Sequence, residues 1–254
     1  MIKRITVFLA VLLMVAVAFT ASAQSKVLLQ YAPSAGTTTT YKMNITGNTT
    51  VTAYGKNQRT SLETGMRIQQ KVTGVDKDGN VDIETTVLDG TITVNNVPTV
   101  LPNMGQIINV KMAKDGEVLS STGVDQQGNM NQMQIRFPKN PVGIGDSWTS
   151  KIEANPQMPI PMETKYTIVG FEKIGGQDCV KISSTVRSVQ PAAGSINLNV
   201  SATGFIWFAH KAGYMAKNEV KSDMRMVMEN DLGGGQKEKI ETRMNLVLKM
   251  DLTK

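Results

Sequence analysis

The chain has one cysteine and one histidine in 254 residues, and these two scarcities remove whole classes of chemistry. Cys179 has no partner, so no intrachain disulfide can form, and an exported domain without such staples must rest on a hydrophobic core. It lies in an apolar strand context beside Val180 and Ile182, where a thiol reads as a small buried hydrophobe. His210 has no second imidazole to share a metal, and its place beside the Lys211–Gly213 turn predicts an exposed turn residue. No Gly-x-Ser-x-Gly elbow or Ser-x-x-Lys motif follows the N-terminal segment. Aromatic residues are few, at 5%. Basic residues never form a block, so nucleic-acid binding is unsupported. Asp76-x-Asp78-Gly79-Asn80 has a calcium-loop beginning, but the positions that should hold Gly and a bidentate Glu hold Val81 and Val87. No cofactor, metal site or catalytic residue is expected, and the reading is of a protein that is not an enzyme.

Long apolar runs are also missing, with one exception at the N-terminus. Lys3 and Arg4 precede an apolar stretch from Ile5 to Phe19, and Ala21-Ser22-Ala23 follows. That order predicts a cleavable signal peptide over residues 1–23, with cleavage between Ala23 and Gln24. The run is shorter than the ~20 residues a membrane-spanning helix needs. No cysteine follows it to carry a lipid, and no transmembrane segment is expected in the mature chain. The expected location is therefore the periplasm or the extracellular space, as a soluble and unanchored protein. Removing Lys3 and Arg4 from 27 basic residues leaves 25 against 21 acidic ones, a formal charge of +4.

What is present is alternation. Ile240, Thr242, Met244, Leu246, Leu248, Met250 and Leu252 share one parity; Glu241, Arg243, Asn245, Val247, Lys249 and Asp251 share the other. Period two over this length predicts a strand with one buried and one wet face. Tyr41–Ala53, Leu62–Val72, Val81–Val87, Ile196–Phe208 and Val220–Met228 read the same way. Asp78-Gly79 predicts a type I′ hairpin turn, with further turns at Asp115-Gly116, Gly175-Gly176, Ala212-Gly213 and Gly233–Gly235. One short helix is expected at most, at Gln126–Gln134. The fold class is all-β: a strongly curved antiparallel sheet or half-barrel, forming a single domain over 24–254. Met66–Thr91 and Glu163–Val189 share a strand, glycine, hairpin, strand order. Val110–Gly116 and Ile206–Gly213 follow at nearly the same offset. They suggest two similar meander halves, about 36–122 and 148–230.

Methionine is the compositional anomaly, with sixteen in the chain, two of them (Met1 and Met14) in the leader. Met224, Met226 and Met228 share a strand face, and Met244 joins Leu246 and Leu248 on the next. Thioethers fill irregular core gaps, line adaptable cavities, or bind a soft metal such as Cu(I). Met224, Met226, Met228, Met244, Leu246 and Leu248 are the candidate ligand-lining residues.

The most distinctive segment is Phe137-Pro-Lys-Asn-Pro-Val-Gly-Ile-Gly-Asp-Ser-Trp148. Its Pro-x-x-Pro-Val-x-x-Gly-Asp-Ser-Trp pattern resembles an uncharacterised family of exported bacterial proteins. That family is similar in turn to the half-barrel superfamily of periplasmic lipoprotein carriers, in which a curved antiparallel sheet cups acyl chains. The resemblance implies no catalytic residues. Gly145 and Asp146 are expected to make a tight turn, and Trp148 to anchor it on the core. Three functions stay open. The first is non-catalytic binding of an apolar small molecule or lipid in the cell envelope. The second is a structural or protein-interaction β module with a packed core, and the third a carboxylate-based enzyme.

Overall fold

The computed structural model describes residues 26–102, 104–123, 134–154, 160–189, 196–231 and 237–253. The expected signal peptide with its Ala23–Gln24 junction and the turn expected at Gly233–Gly235 lie outside the described residues, as does the expected helix but for Gln134. Every regular element described is a strand. In chain order these are β1 (Thr38–Ala53), β2 (Lys56–Val75), β3 (Val81–Val94), β4 (Val97–Val100), β5 (Ile107–Met112), β6 (Val118–Thr122), β7 (Ser147–Ile152), β8 (Met162–Ile174), β9 (Gln177–Ser188), β10 (Ile196–Ala209), β11 (Tyr214–Asp231) and β12 (Lys237–Leu252).

All twelve belong to one open antiparallel sheet, in the order β6-β5-β3-β2-β1-β12-β11-β10-β9-β8-β7, with β4 beside β3. The strands β1, β2, β3, β10, β11 and β12 were legible as alternation because one face is buried and the other wet. What the alternation does not encode is the β1–β12 seam, where Tyr41 faces Leu252 and Met43 faces Met250. That pairing joins two meanders into one sheet.

The turn chemistry differs from expectation at one hairpin. Gly79 has φ of +79° while Asp78 stays outside the left-handed region, so the turn is not type I′. Gly79 N–H donates to Asp76 O at 2.9 Å and Asp76 N–H to Asn80 O at 2.9 Å, a type I turn closed by a left-handed glycine. Asp76 selects it: its Oδ1 accepts from the backbone N–H groups of Asp78 and Asn80. The Asn80 amide and the Lys111 ammonium hold that carboxyl far below its usual range. Type I′ geometry occurs instead at Tyr54-Gly55, Asn95-Asn96 and Gly175-Gly176, where both central residues have positive φ.

The sheet curves until its two wings share one core. Val81, Val110, Met112 and Val118 come from β3, β5 and β6; Tyr166, Ile168, Val180, Ile182, Ile206 and Phe208 come from β8, β9 and β10. Two irregular segments fill the space between the wings and complete that core, with Leu29 and Tyr31 from one, Ile135, Phe137 and Val142 from the other. They touch each other through a Val27–Val142 bridge. A smaller cluster of Cys179, Trp207, Ala209 and Ala216 lies on the opposite, convex face. The irregular segments close the end of the half-barrel that carries the β2–β3, β5–β6, β8–β9 and β10–β11 turns. The concave face of the long strands β1, β2, β11 and β12 continues beyond them.

Candidate functional site

The second irregular segment ends in the Gly145–Trp148 turn. Asp146 Oδ2 accepts from Gly143 N–H at 3.0 Å and pairs with Lys26 at 3.0 Å. That backbone donor, then Lys26, lowers the carboxyl's pKa. Gly145 has φ of +90°, and its N–H donates to Ile168 O at 2.8 Å, fastening the turn to β8. Trp148 stacks on Tyr166 at 5.2 Å, and its Nε1 donates to Arg136 O at 2.7 Å.

Two adjoining cavities lie between these irregular segments and the concave sheet face. The first, about 240 Å³, is lined by Tyr41 and Met43 of β1, Ile68 and Gln70 of β2, and Thr85 and Val87 of β3, among others. The second, about 310 Å³, is lined by Thr164 and Tyr166 of β8, Ser184 and Val186 of β9, and Val220 and Ser222 of β11, among others. Gln134, Met215, Asn218 and Leu248 line both. No charged residue is among the described lining of either cavity. Burial pushes the Tyr41 and Tyr166 phenols up to about 12, so both stay neutral hydrogen-bonding groups. Burial also raises the Tyr31 phenol, which accepts a hydrogen bond from Ile135 N–H at 3.2 Å.

One polar atom in this lining is unsatisfied. Asn218 Oδ1 is buried and meets no hydrogen-bond donor among the described residues. A buried acceptor without a donor carries a desolvation cost that a ligand donor can relieve. The lining can therefore enclose apolar groups and place a few neutral hydrogen bonds.

Of the residues singled out from sequence, Leu248 lines both cavities and Leu246 the second. Met224, Met226, Met228 and Met244 line neither. They sit further along the same face of β11 and β12, half-buried, with Met224 opposite Met244 and Met226 opposite Thr242. Met215 and Asn218 were missed. A bulge between Trp207 and Phe208 shifts the β10–β11 register, putting Met215 and Asn218 into the lining although they have opposite parity.

A third hollow, about 340 Å³, lies on the convex side and gathers Glu172, Asp178, Cys179 and His210. His210 is in the expected turn but half-buried rather than exposed, its ring edge-on to Phe171 at 6.3 Å. Desolvation lowers the imidazole's pKa and raises that of the Cys179 thiol, which favours both neutral forms. Lys173 and Lys211 hold Asp178 down to about 2, and Lys181 with the Trp207 indole lowers Glu172. A general acid needs its pKa raised toward the working pH, and these carboxylates are held the other way.

The described architecture defines a class: open, strongly curved antiparallel sheets with an apolar concave face. A family of unknown function, DUF6263, matches residues 126–243, a span that contains the Gly145–Trp148 turn. Among solved structures, one of lipid–protein interactions in lipovitellin is similar over 87% of this chain and 25% of that chain, at 10% identity and a TM-score of 0.53. This chain thus spans about a quarter of that protein's length. A protein with a YmcC-like fold from Bacteroides fragilis is similar over 89% of this chain and 100% of its own, at 14% identity and a TM-score of 0.33. No curated protein matches in sequence.

Proposed function

We propose that this is an exported, non-catalytic protein that carries an apolar or lipid-like molecule on the concave face of its sheet. The observation that carries the reading is the pair of adjoining cavities without a charged side chain in their described lining. Such a lining favours an apolar guest, and a few fixed neutral polar groups orient it. The fold likeness to lipovitellin, a protein whose solved structure concerns lipid–protein interactions, supports the same reading.

The apolar fluorophore N-phenyl-1-naphthylamine tests it. Saturable binding with enhanced emission is expected, and Leu248→Trp should abolish it, because that side chain borders both cavities. The rival is an interaction module with a fully packed core. There the wild type would bind no probe, and the enlarged side chain would cost about 1–3 kcal/mol through overpacking.

Export is part of the proposal and is tested separately. Signal peptidase reads small side chains such as Ala21 and Ala23, so the mature protein should begin at Gln24. Intact-mass measurement of envelope material is expected to show the chain without residues 1–23. A mass that keeps the apolar segment would overturn export by cleavage.

A further inference from the structure

The two cavities occupy equivalent places in a repeated architecture. In β2–β3, Ile68 pairs with Val87 and Gln70 with Thr85. In β8–β9, Thr164 pairs with Val186 and Tyr166 with Ser184. The first four residues line the first cavity and the second four line the second. The shift is 96 positions in the leading strand (68 to 164) and 99 in the returning one (87 to 186), because the β8–β9 hairpin is longer.

The equivalence extends well beyond these pairs. Register breaks fall between Val72 and Gly74, then between Ile168 and Gly170. They recur between Lys111 and Met112, then between Trp207 and Phe208. Gly36 N–H donates to Val72 O at 2.9 Å as Gly145 N–H donates to Ile168 O at 2.8 Å, and both glycines have positive φ. In the core, Val81 pairs with Met112 and Ile83 with Val110, as Val180 pairs with Phe208 and Ile182 with Ile206.

Contacts between the halves are reciprocal. Gly116 of the first half lies against Ile135, in the segment leading into the second. Gly213 of the second half lies against Ala32, in the segment leading into the first. Reciprocal contact of this kind is what a two-fold relation between similar units produces.

Resting on the carrier reading, we infer that the site takes one lipid with two hydrocarbon arms, one arm in each cavity. The neutral linker between the arms presents a hydroxyl or amide N–H to Asn218 Oδ1. Asn218 suits this role because it lines both cavities and its buried acceptor has no donor among the described residues. The uncharged lining admits the linker and the arms but leaves a charged headgroup outside.

Native mass spectrometry with two probes tests the assignment, using 1,2-dioctanoylglycerol for two arms and 1-monooctanoylglycerol for one. The wild type is expected to bind one copy of the first or two of the second, each displacing the other. Val87→Trp and Val186→Trp fill equivalent positions in the two cavities. Each should abolish dioctanoylglycerol binding and leave room for a single monooctanoylglycerol. Asn218→Leu should weaken dioctanoylglycerol about fivefold by removing a neutral hydrogen bond, yet raise the melting temperature of the empty protein by removing a buried orphan acceptor.

A wild-type limit of one monooctanoylglycerol overturns the two-armed assignment and leaves the carrier reading standing. So does undiminished dioctanoylglycerol binding in both tryptophan variants. Failure of the wild type to bind either probe overturns the carrier reading itself.

Discussion

Phe208→Ala should lower the stability of the protein by about 3–5 kcal/mol, whereas Phe205→Ala, three residues earlier on the same strand, should cost under about 1 kcal/mol. Phe208 is 0% exposed, and its ring meets Phe137 at 4.6 Å and Tyr31 at 5.3 Å. Those two rings belong to the two irregular segments, so Phe208 joins β10 to both inserts at once. Truncation leaves a void that neither insert can fill without giving up its bonds to the β5–β6 turn, Tyr31 N–H to Lys114 O at 2.8 Å and Phe137 N–H to Asp115 O at 2.8 Å. Phe205 is 42% exposed on the opposite face, with the Lys181 ammonium 5.1 Å from its ring. Its loss removes one exposed cation–π contact and little burial. Urea unfolding of the two variants beside wild type measures the difference. Equal losses would mean that Phe208 does not lie in the main core and Phe205 on the opposite face as described.

That parity was legible in the sequence because a sheet with one buried face writes its orientation into every second residue. It gave Leu246 and Leu248 their face, and it placed Tyr41, Met43 and Ile45 together. It could not say how far along the face a cavity lies. Met224, Met226 and Met228 share their parity with the cavity-lining Val220 and Ser222, but they sit toward the end where Asp231 of β11 pairs with Lys237 of β12, away from the irregular segments that bound the cavities. Those segments have no period, so sequence alone does not locate the closed end.

Parity also fails wherever a bulge intervenes. Met215 reads as wet from Asn218 onward and faces the cavities only because the register slips beside Phe208. Asn218 shows the opposite failure. As a polar residue on a largely apolar face it looks like an interruption of the pattern, and only its missing donor marks it. The short β4 escaped notice for a local reason. Asn95-Asn96 carries a two-residue turn of the Asn-rich type, but the four residues after it are too few to show alternation.

Gly213→Ala should cost about 3 kcal/mol or more, the left-handed backbone contributing about 1–2 and the steric clash the rest. Gly175→Ala is the control that separates these two contributions. Both glycines have positive φ, +74° and +55°, so both substitutions carry the conformational cost. A Cβ at Gly175 would meet nothing within 4 Å, whereas one at Gly213 would meet Ala32 N at 2.5 Å and Ala32 C at 2.6 Å. Those are backbone atoms and cannot rotate aside, so the whole Tyr31–Pro33 stretch must move. Tyr31 and Pro33 line the first cavity and not the second. Gly213→Ala should therefore also weaken probe binding in the first cavity, while the second, isolated by Val87→Trp, keeps its affinity. Thermal or urea unfolding reads the first effect, and titration of the single and double variants reads the second. Equal destabilisation by the two alanines would show that the β10–β11 turn does not press on the lead-in segment, and the reciprocal contact between the halves would lose one of its two sides.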